Sequence, residues 1–175
     1  MDLPGLRPTT DRVRETLFNW LGQDLTGLNC IDLFAGTGAL GFGAASRSAQ
    51  SVTLLERDKK AHARLAENFL ALQSSPVPGS VQILHRDCVE YLKQQANLSS
   101  NLIFIDPPFQ EEGLLDQALI QAGRICDDSP GGGIYAEFPA SRSRESVEAL
   151  LPEWHCGKYL EAGQVKACLF RSRRG

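Results

Sequence analysis

The sequence predicts an α/β fold: a seven-stranded, mostly parallel sheet with helices on both faces and an antiparallel last strand. Two observations predict it. Short apolar runs of strand length alternate with longer amphipathic, helix-like segments along almost the whole chain. The final two strand-like runs, 154–160 and 164–170, are joined only through Glu161-Ala162-Gly163. That link is too short for a parallel crossover, so these two strands are antiparallel neighbours. A third observation bears on use. Ligands of such sheets bind at the carboxyl ends of the strands, and three strand ends here carry polar residues.

In order, the spacing predicts a helix over 9–24, with Val13, Leu17, Phe18 and Leu21 on one face, Thr10 or Asp11 as its cap and Gly27 beyond its end. A strand at 30–34 leads into a glycine-rich turn and a helix at 40–48. A second strand, 52–55, ends at Glu56. A helix at 59–73 places Leu65, Phe69 and Leu72 on one side, and 74–79 is a proline-rich loop. The strand at 81–84 precedes a short helix at 88–95. The strand at 102–105 runs directly into Asp106-Pro107-Pro108-Phe109. Then follow a helix at 114–126, a strand at 133–138, a short helix at 143–151 and the closing strand pair. One domain is expected over 1–175, with 1–26 as an N-terminal extension and helix and 27–175 as the core.

Composition narrows the class. Of 175 residues, 42% are hydrophobic and 22% charged, as in a globular domain with a substantial core. No apolar run is long enough to span a bilayer, and the first residues lack a signal peptide's apolar stretch, so a cytoplasmic protein away from membranes is expected. The five cysteines are odd in number and include no C-x-x-C pair, which argues for reduced thiols. His62, His85 and His155 stand apart in sequence and no metal is expected. The net charge of −3 does not mark a strongly basic nucleic-acid binder. The ends are nevertheless basic: Arg7, Arg12 and Arg14 at one, and Lys166, Arg171, Arg173 and Arg174 without an acid at the other. Two readings fit them equally: a local patch for a polyanion, or basic ends that are simply solvated.

The first polar strand end is Asp32-Leu33-Phe34-Ala35-Gly36-Thr37-Gly38-Ala39-Leu40-Gly41. Gly36 and Gly38 allow a sharp turn and close approach of a ligand, and the following helix start offers free N–H groups. The same residues fit G-x-G-x-x-G, with Glu56 about 20 residues on, so this turn alone does not separate a dinucleotide site from one for S-adenosylmethionine. The second strand end is Glu56, a carboxylate able to accept both hydroxyls of a ribose. Third is Asp106-Pro107-Pro108-Phe109. An ionised Asp106 only accepts hydrogen bonds, the prolines hold the backbone rigid without donating, and Phe109 offers a flat face for a base. An acceptor carboxylate, a carbonyl and a stacking ring suit an exocyclic amino group on a planar base.

Asp-x-Phe-x-Gly-x-Gly followed by Asp-Pro-Pro-Phe resembles the signature pair of S-adenosylmethionine-dependent amino-methyltransferases. The opening Arg7-Pro8-Thr9-Thr10-Asp11-Arg12-Val13-Arg14-Glu15-Thr16-Leu17-Phe18-Asn19-Trp20-Leu21 and the closing Ala162-Gly163-Gln164-Val165 are similar to a narrower family, the bacterial 16S ribosomal RNA guanine-N(2) methyltransferases of the RsmD type. The resemblance implies a Rossmann-like class I methyltransferase fold, S-adenosylmethionine as cofactor and 16S rRNA as partner, within a small-subunit particle and with the enzyme as a monomer. By position, it implies that Phe34, Ala35, Gly36 and Gly38 wrap the methionine part above Asp32. Glu56 would take the ribose, Arg57 would flank the adenine, and Asp87 and Cys88 would contact the adenine edge. Arg7 to Thr10 would close over the amino-acid end, and Asp106, Pro107, Pro108 and Phe109 would hold the target guanine.

Two departures from the family stand out. Its members begin with a basic, Gly- and Arg-rich segment, expected to form a hairpin, ahead of the block where this chain starts at Met1-Asp2-Leu3-Pro4. Either the start is truncated or this member lacks that arm, and in the second case fewer phosphate contacts are expected from the protein itself. Gly43 also stands inside a predicted helix where the family often has Glu. Two other functions share parts of the pattern. An NAD-dependent oxidoreductase would use the glycine turn and Glu56 but has no role for Asp-Pro-Pro-Phe. A non-catalytic RNA-binding or ribosome-assembly module would keep the fold alone.

Overall fold

A computed structural model describes residues 8–73, 77–111, 113–127 and 129–173, with side chains from residue 11 onward. The chain forms α1 (Pro8–Leu21), β1 (Asn29–Asp32), α2 (Ala39–Ala45), β2 (Ser51–Leu55), α3 (Lys59–Leu72), β3 (Ser80–Leu84), α4 (Cys88–Lys93), β4 (Leu102–Ile105), α5 (Leu114–Ile125), β5 (Gly133–Pro139), α6 (Arg144–Glu148), β6 (Trp154–Ala162) and β7 (Val165–Ser172). The strands make one seven-stranded sheet in the order β3-β2-β1-β4-β5-β7-β6. Strands β1 to β5 pair in parallel, and β7 is antiparallel to both β5 and β6. The antiparallel strand therefore sits inside the sheet, between two strands of the common direction. The β6–β7 hairpin is long enough for its second arm to insert there, which strand spacing along the chain does not reveal.

Apolar residues on the two sheet faces form two cores. One gathers Ile103, Ile105, Ile134, Phe138 and Trp154 under α4 and α5. The other gathers Cys30, Leu54, Phe104, Tyr135 and Leu169 under α1 and α2. The expected face of α1 holds: Val13, Leu17, Phe18 and Leu21 are all buried. Each such burial contributes roughly 1.5–3 kcal/mol.

The boundaries of α1 differ from expectation. The helix begins at Pro8, whose fixed φ suits a first helical position. Thr10 and Asp11 therefore lie in the first turn, and Asp11 pairs with Arg14 at 3.1 Å instead of capping the helix. Its end is set by Gly22, at φ +89 with its N–H on the Phe18 carbonyl at 2.9 Å, and not by Gly27. On α3, Leu65 is buried and Phe69 stacks on Phe42, but Leu72 is 46% exposed. The last turn of α3 lies at the sheet border, where β3 itself is only partly covered. The expected helix at 143–151 shortens to one turn: Ser143 caps it, accepting from the Ser146 N–H at 3.2 Å, and beyond Ala149 the chain tightens into three-residue bonds, Leu150 N–H to the Val147 carbonyl at 3.1 Å and Leu151 N–H to the Glu148 carbonyl at 2.9 Å.

Gly43 has a packing explanation. A Cβ there would stand 2.7 Å from both Cε2 and Cζ of Phe18. The bare backbone lets α2 approach the Phe18 ring, over which the Arg47 guanidinium lies at 4.0 Å.

Candidate active site at the carboxyl edge of the sheet

The carboxyl edge is assembled from four neighbouring strands. At the end of β1, Leu33 and Ala35 keep the sheet going for one more step, donating to the Phe104 and Leu55 carbonyls at 3.1 and 2.9 Å. The chain then turns at Gly36 (φ +55) and Gly38 (φ +90). Both values lie in the left-handed region that favours glycine. At Gly38 a Cβ would also fall 2.1 Å from Phe42 Cε2, so the turn admits nothing larger. Asn68 on α3 holds the turn from outside, donating to the Thr37 carbonyl at 3.0 Å.

Three predicted carboxylates along this edge are tied to backbone N–H groups. Asp32 is buried at the end of β1, and its Oδ2 accepts from Gly41 N–H at 3.0 Å, linking strand to helix. Its Oδ1 is buried with no partner among the described residues. Burial, with Asp106 and Glu56 nearby, pushes the Asp32 carboxyl up to about 7. Glu56 accepts from Gly36 N–H at 3.2 Å through Oε1 and from Asp58 N–H at 3.0 Å through Oε2, which fixes its orientation at the tip of β2. Asp87 caps α4, accepting from Glu90 N–H at 3.0 Å.

Beside them opens a cavity of about 550 Å³, lined by residues that include Phe34, Glu56, Arg57, Asp87, Cys88, Asp106 and Pro108. The structure thus brings seven of the predicted site residues to one cavity. Asp32 lies under its floor, and Gly36 and Gly38 form the turn at its side. Arg57 pairs with Glu111, from the loop after Phe109. Cys88 is buried, and burial lifts its thiol to about 12, so it is a neutral wall. Phe109 is 39% exposed, with its ring presented to solvent. Arg7 lies outside the described residues. Thr10 is in the first turn of α1, but its side chain is outside them.

Asp106 differs from the other acids. It follows a fully buried strand, and no hydrogen bond to its carboxyl is formed among the described residues. The residue keeps some exposure toward the cavity, yet burial still raises its carboxyl to about 6. Both oxygens are therefore unspent acceptors at neutral pH.

Arg86, Asp58, Leu33, Glu111 and Leu114 also line the cavity and escaped the reading of the sequence. Position after a strand end could have flagged Arg86, which directly precedes Asp87. Nothing local marks Glu111, whose partner Arg57 is far away in the chain. The basic end does not gather at this site. Because β7 runs antiparallel, Arg171 and Arg173 lie at the opposite edge, donating to the Gly132 and Trp154 carbonyls, while Lys166 donates to the Arg142 carbonyl. His62 and His85, far apart in sequence, stack with centroids 5.0 Å apart. Among the described residues no group of side chains is arranged to hold a metal, and no helix is long and apolar enough to cross a membrane.

The parallel sheet with its inserted antiparallel strand, the glycine turn after β1 and the acidic tip of β2 define a class, the Rossmann-like methyltransferases. The comparisons narrow it. A family profile described as "Conserved hypothetical protein 95" matches residues 1–171. Ribosomal RNA small subunit methyltransferase D of Escherichia coli (strain K12) is 38% identical over 173 residues, 97% of this chain and 81% of the relative. Its namesake in Haemophilus influenzae is 40% identical over 137 residues, 76% of this chain and 68% of the relative. The solved structure of yhhF from Escherichia coli matches with a TM-score of 0.78 at 34% identity, covering 98% of this chain and 90% of that one. The chain belongs to this family of RsmD-type methyltransferases, which sets aside the oxidoreductase expectation.

Proposed function

We propose that this protein transfers a methyl group from S-adenosylmethionine to the exocyclic N2 amino group of a guanine in 16S ribosomal RNA. Family membership supports the methyl transfer and the ribosomal substrate class. The choice of an amino group rests chiefly on one observation: Asp106, at the cavity, holds two carboxylate oxygens with no hydrogen-bond partner among the described residues.

The residues present fit the cofactor. A cavity of about 550 Å³ lies in the range of small-molecule sites. The left-handed turn at Gly36 and Gly38 leaves room for backbone approach. Glu56, already oriented by two N–H groups, takes the ribose hydroxyls. Phe34 to Gly38 hold the methionine part, Arg57 covers the adenine, and Asp87 and Cys88 border its edge. Arg7 and Thr10 close the amino-acid end. When bound, the cofactor supplies a methyl carbon on a cationic sulfur.

The acceptor is this chain's task. A guanine amino group is a poor nucleophile because its lone pair is delocalised into the ring. Asp106 and the Pro107 carbonyl each accept one amino hydrogen, which turns the lone pair toward the methyl carbon and stabilises the positive charge developing on nitrogen. Pro107 and Pro108 keep that carbonyl and carboxylate in place, and Phe109 stacks on the base. Alignment of this kind supplies roughly 7–11 kcal/mol of barrier reduction. Once methylated, the nitrogen sheds a proton that an ionised Asp106 can take. The substrate is the RNA of a small-subunit particle, and the enzyme acts as a monomer.

Mass spectrometry of small-subunit RNA from cells with and without the gene tests the reading. It expects one N2-methylated guanine to revert to guanine. An unchanged RNA would overturn it.

A further inference from the structure

The cavity ends at Asp106, and the next strand across the sheet continues the row of acids. Ile105 of β4 pairs with Ala136 of β5, so Asp106 and Glu137 stand one step further on, side by side on strands roughly 4.8 Å apart. Register partners share a face of the sheet. Asp32 pairs with Phe104, and Phe104 with Tyr135, so by alternation Asp32, Asp106 and Glu137 all project to the face covered by α1 and α2. Glu137 is only 7% exposed, and no Lys or Arg forms an ion pair with it among the described residues. The titratable groups that face it are Asp106 from β4, Asp32 from β1 and Tyr135 from its own strand, while β7 presents Ala167. The Tyr135 hydroxyl is buried beside the Glu137 carboxyl without a partner in regular hydrogen-bond geometry.

This neighbourhood divides the labour between two acids. Burial and the Asp106 charge raise the Glu137 carboxyl to about 8, above the value of about 6 at Asp106. Burial without a cationic partner and the adjoining Asp106 charge favour the protonated form of Glu137, which offers one acceptor and one donor.

The cavity that fits the cofactor spans the ends of β1 to β4, and β5 is the next strand beyond Asp106, so a base held at Asp106 on the far side from the cofactor lies toward β5. Its pairing edge then faces Glu137, which stands beside Asp106 on β5, two residues before the strand ends at Pro139. We infer that Glu137 selects guanine: its carbonyl oxygen accepts the guanine N1–H and its O–H donates to O6, while Asp106 takes a hydrogen of the N2 amino group. This inference rests on the reading of guanine N2 as the acceptor. Glu137 is a specificity residue, and the methyl transfer itself needs nothing from it.

The test compares RNA carrying guanine at the target position with RNA carrying 2-aminopurine, which keeps the amino group but lacks N1–H and O6. Wild-type protein is expected to prefer guanine in kcat/KM by about 10- to 100-fold, the worth of a bidentate base contact. Glu137→Ala should bring that ratio close to one by lowering the guanine value. Glu137→Gln, whose amide presents an acceptor and a donor in the same places, should keep the preference. It should also lose the fall in rate that wild type shows as pH rises through about 8. Equal losses on both bases in Glu137→Ala, or an identical pH profile in Glu137→Gln, would overturn the assignment. If wild type forms N2-methylguanine while the ratio does not move in Glu137→Ala, only Glu137 loses its role. A wild-type product other than N2-methylguanine removes the acceptor reading and this inference with it.

Discussion

The two halves of the carboxyl edge treat their carboxylates in opposite ways. Over β1, β2 and β3, Asp32, Glu56 and Asp87 each accept from backbone N–H groups, and Asp58 does the same for Ala61 at the start of α3. Over β4 and β5, among the described residues, Asp106 has no such partner, and the titratable groups facing Glu137 are a tyrosine and other acids. In the first half backbone N–H groups orient every one of these acids, although Asp32 keeps one buried oxygen without a partner among the described residues. The second holds unspent acceptors and donors against the cost of desolvation, which is tolerable where a ligand completes the bonds. Under the proposed function, the contrast is that between holding a cofactor and addressing a substrate.

Breaking the second half should have the largest effect. Asp106→Ala is expected to lower methyl transfer by about 10²–10³-fold, as for loss of one hydrogen-bonding group aimed at developing charge. Cofactor affinity should stay within several-fold. Radiolabelled-methyl transfer alongside calorimetry checks both, and near-normal turnover would remove Asp106 from the acceptor site. Glu56→Ala reverses the pattern. It should weaken cofactor binding by roughly 1.5–3 kcal/mol, the worth of hydrogen bonds to a charged group. An unchanged dissociation constant would take Glu56 out of the ribose role.

Smaller effects sharpen the same division. Gly43→Ala forces the Phe18 ring to shift, at about 1–3 kcal/mol, against a gain of about 1 kcal/mol in helix propensity. A net loss near 1 kcal/mol in urea unfolding with activity retained would assign Gly43 to packing alone. Linkage gives the smallest signal. Asp32, Asp106 and Glu137 all have carboxyls raised in the fold, so each binds its proton more tightly folded than unfolded. Their contribution is fully present below the ordinary carboxyl range and is lost as pH rises through about 6 to 8. The Tm of ligand-free wild type should therefore fall between pH 5 and pH 8 by about 2–4 °C more than that of Glu137→Gln. Parallel curves would mean that the acid row carries no buried strain.

What the sequence determined by itself was local. Strand ends at Asp32, Glu56 and Asp106 were legible because an apolar run followed by a polar residue and a glycine or proline is a short-range signal. The antiparallel direction of β7 followed from a three-residue link, and the buried face of α1 from its period. Tertiary structure alone decided what depends on register between distant segments. It placed Glu137 beside Asp106 through the Ile105–Ala136 pairing, brought Phe18 onto Gly43, and carried Arg171 and Arg173 to the far edge because β7 points away from the site. The reason is physical. Turns and periods are written in consecutive residues, whereas the neighbours of a side chain across a sheet are chosen by which strands pair and in which register, and both are settled by how the whole core packs.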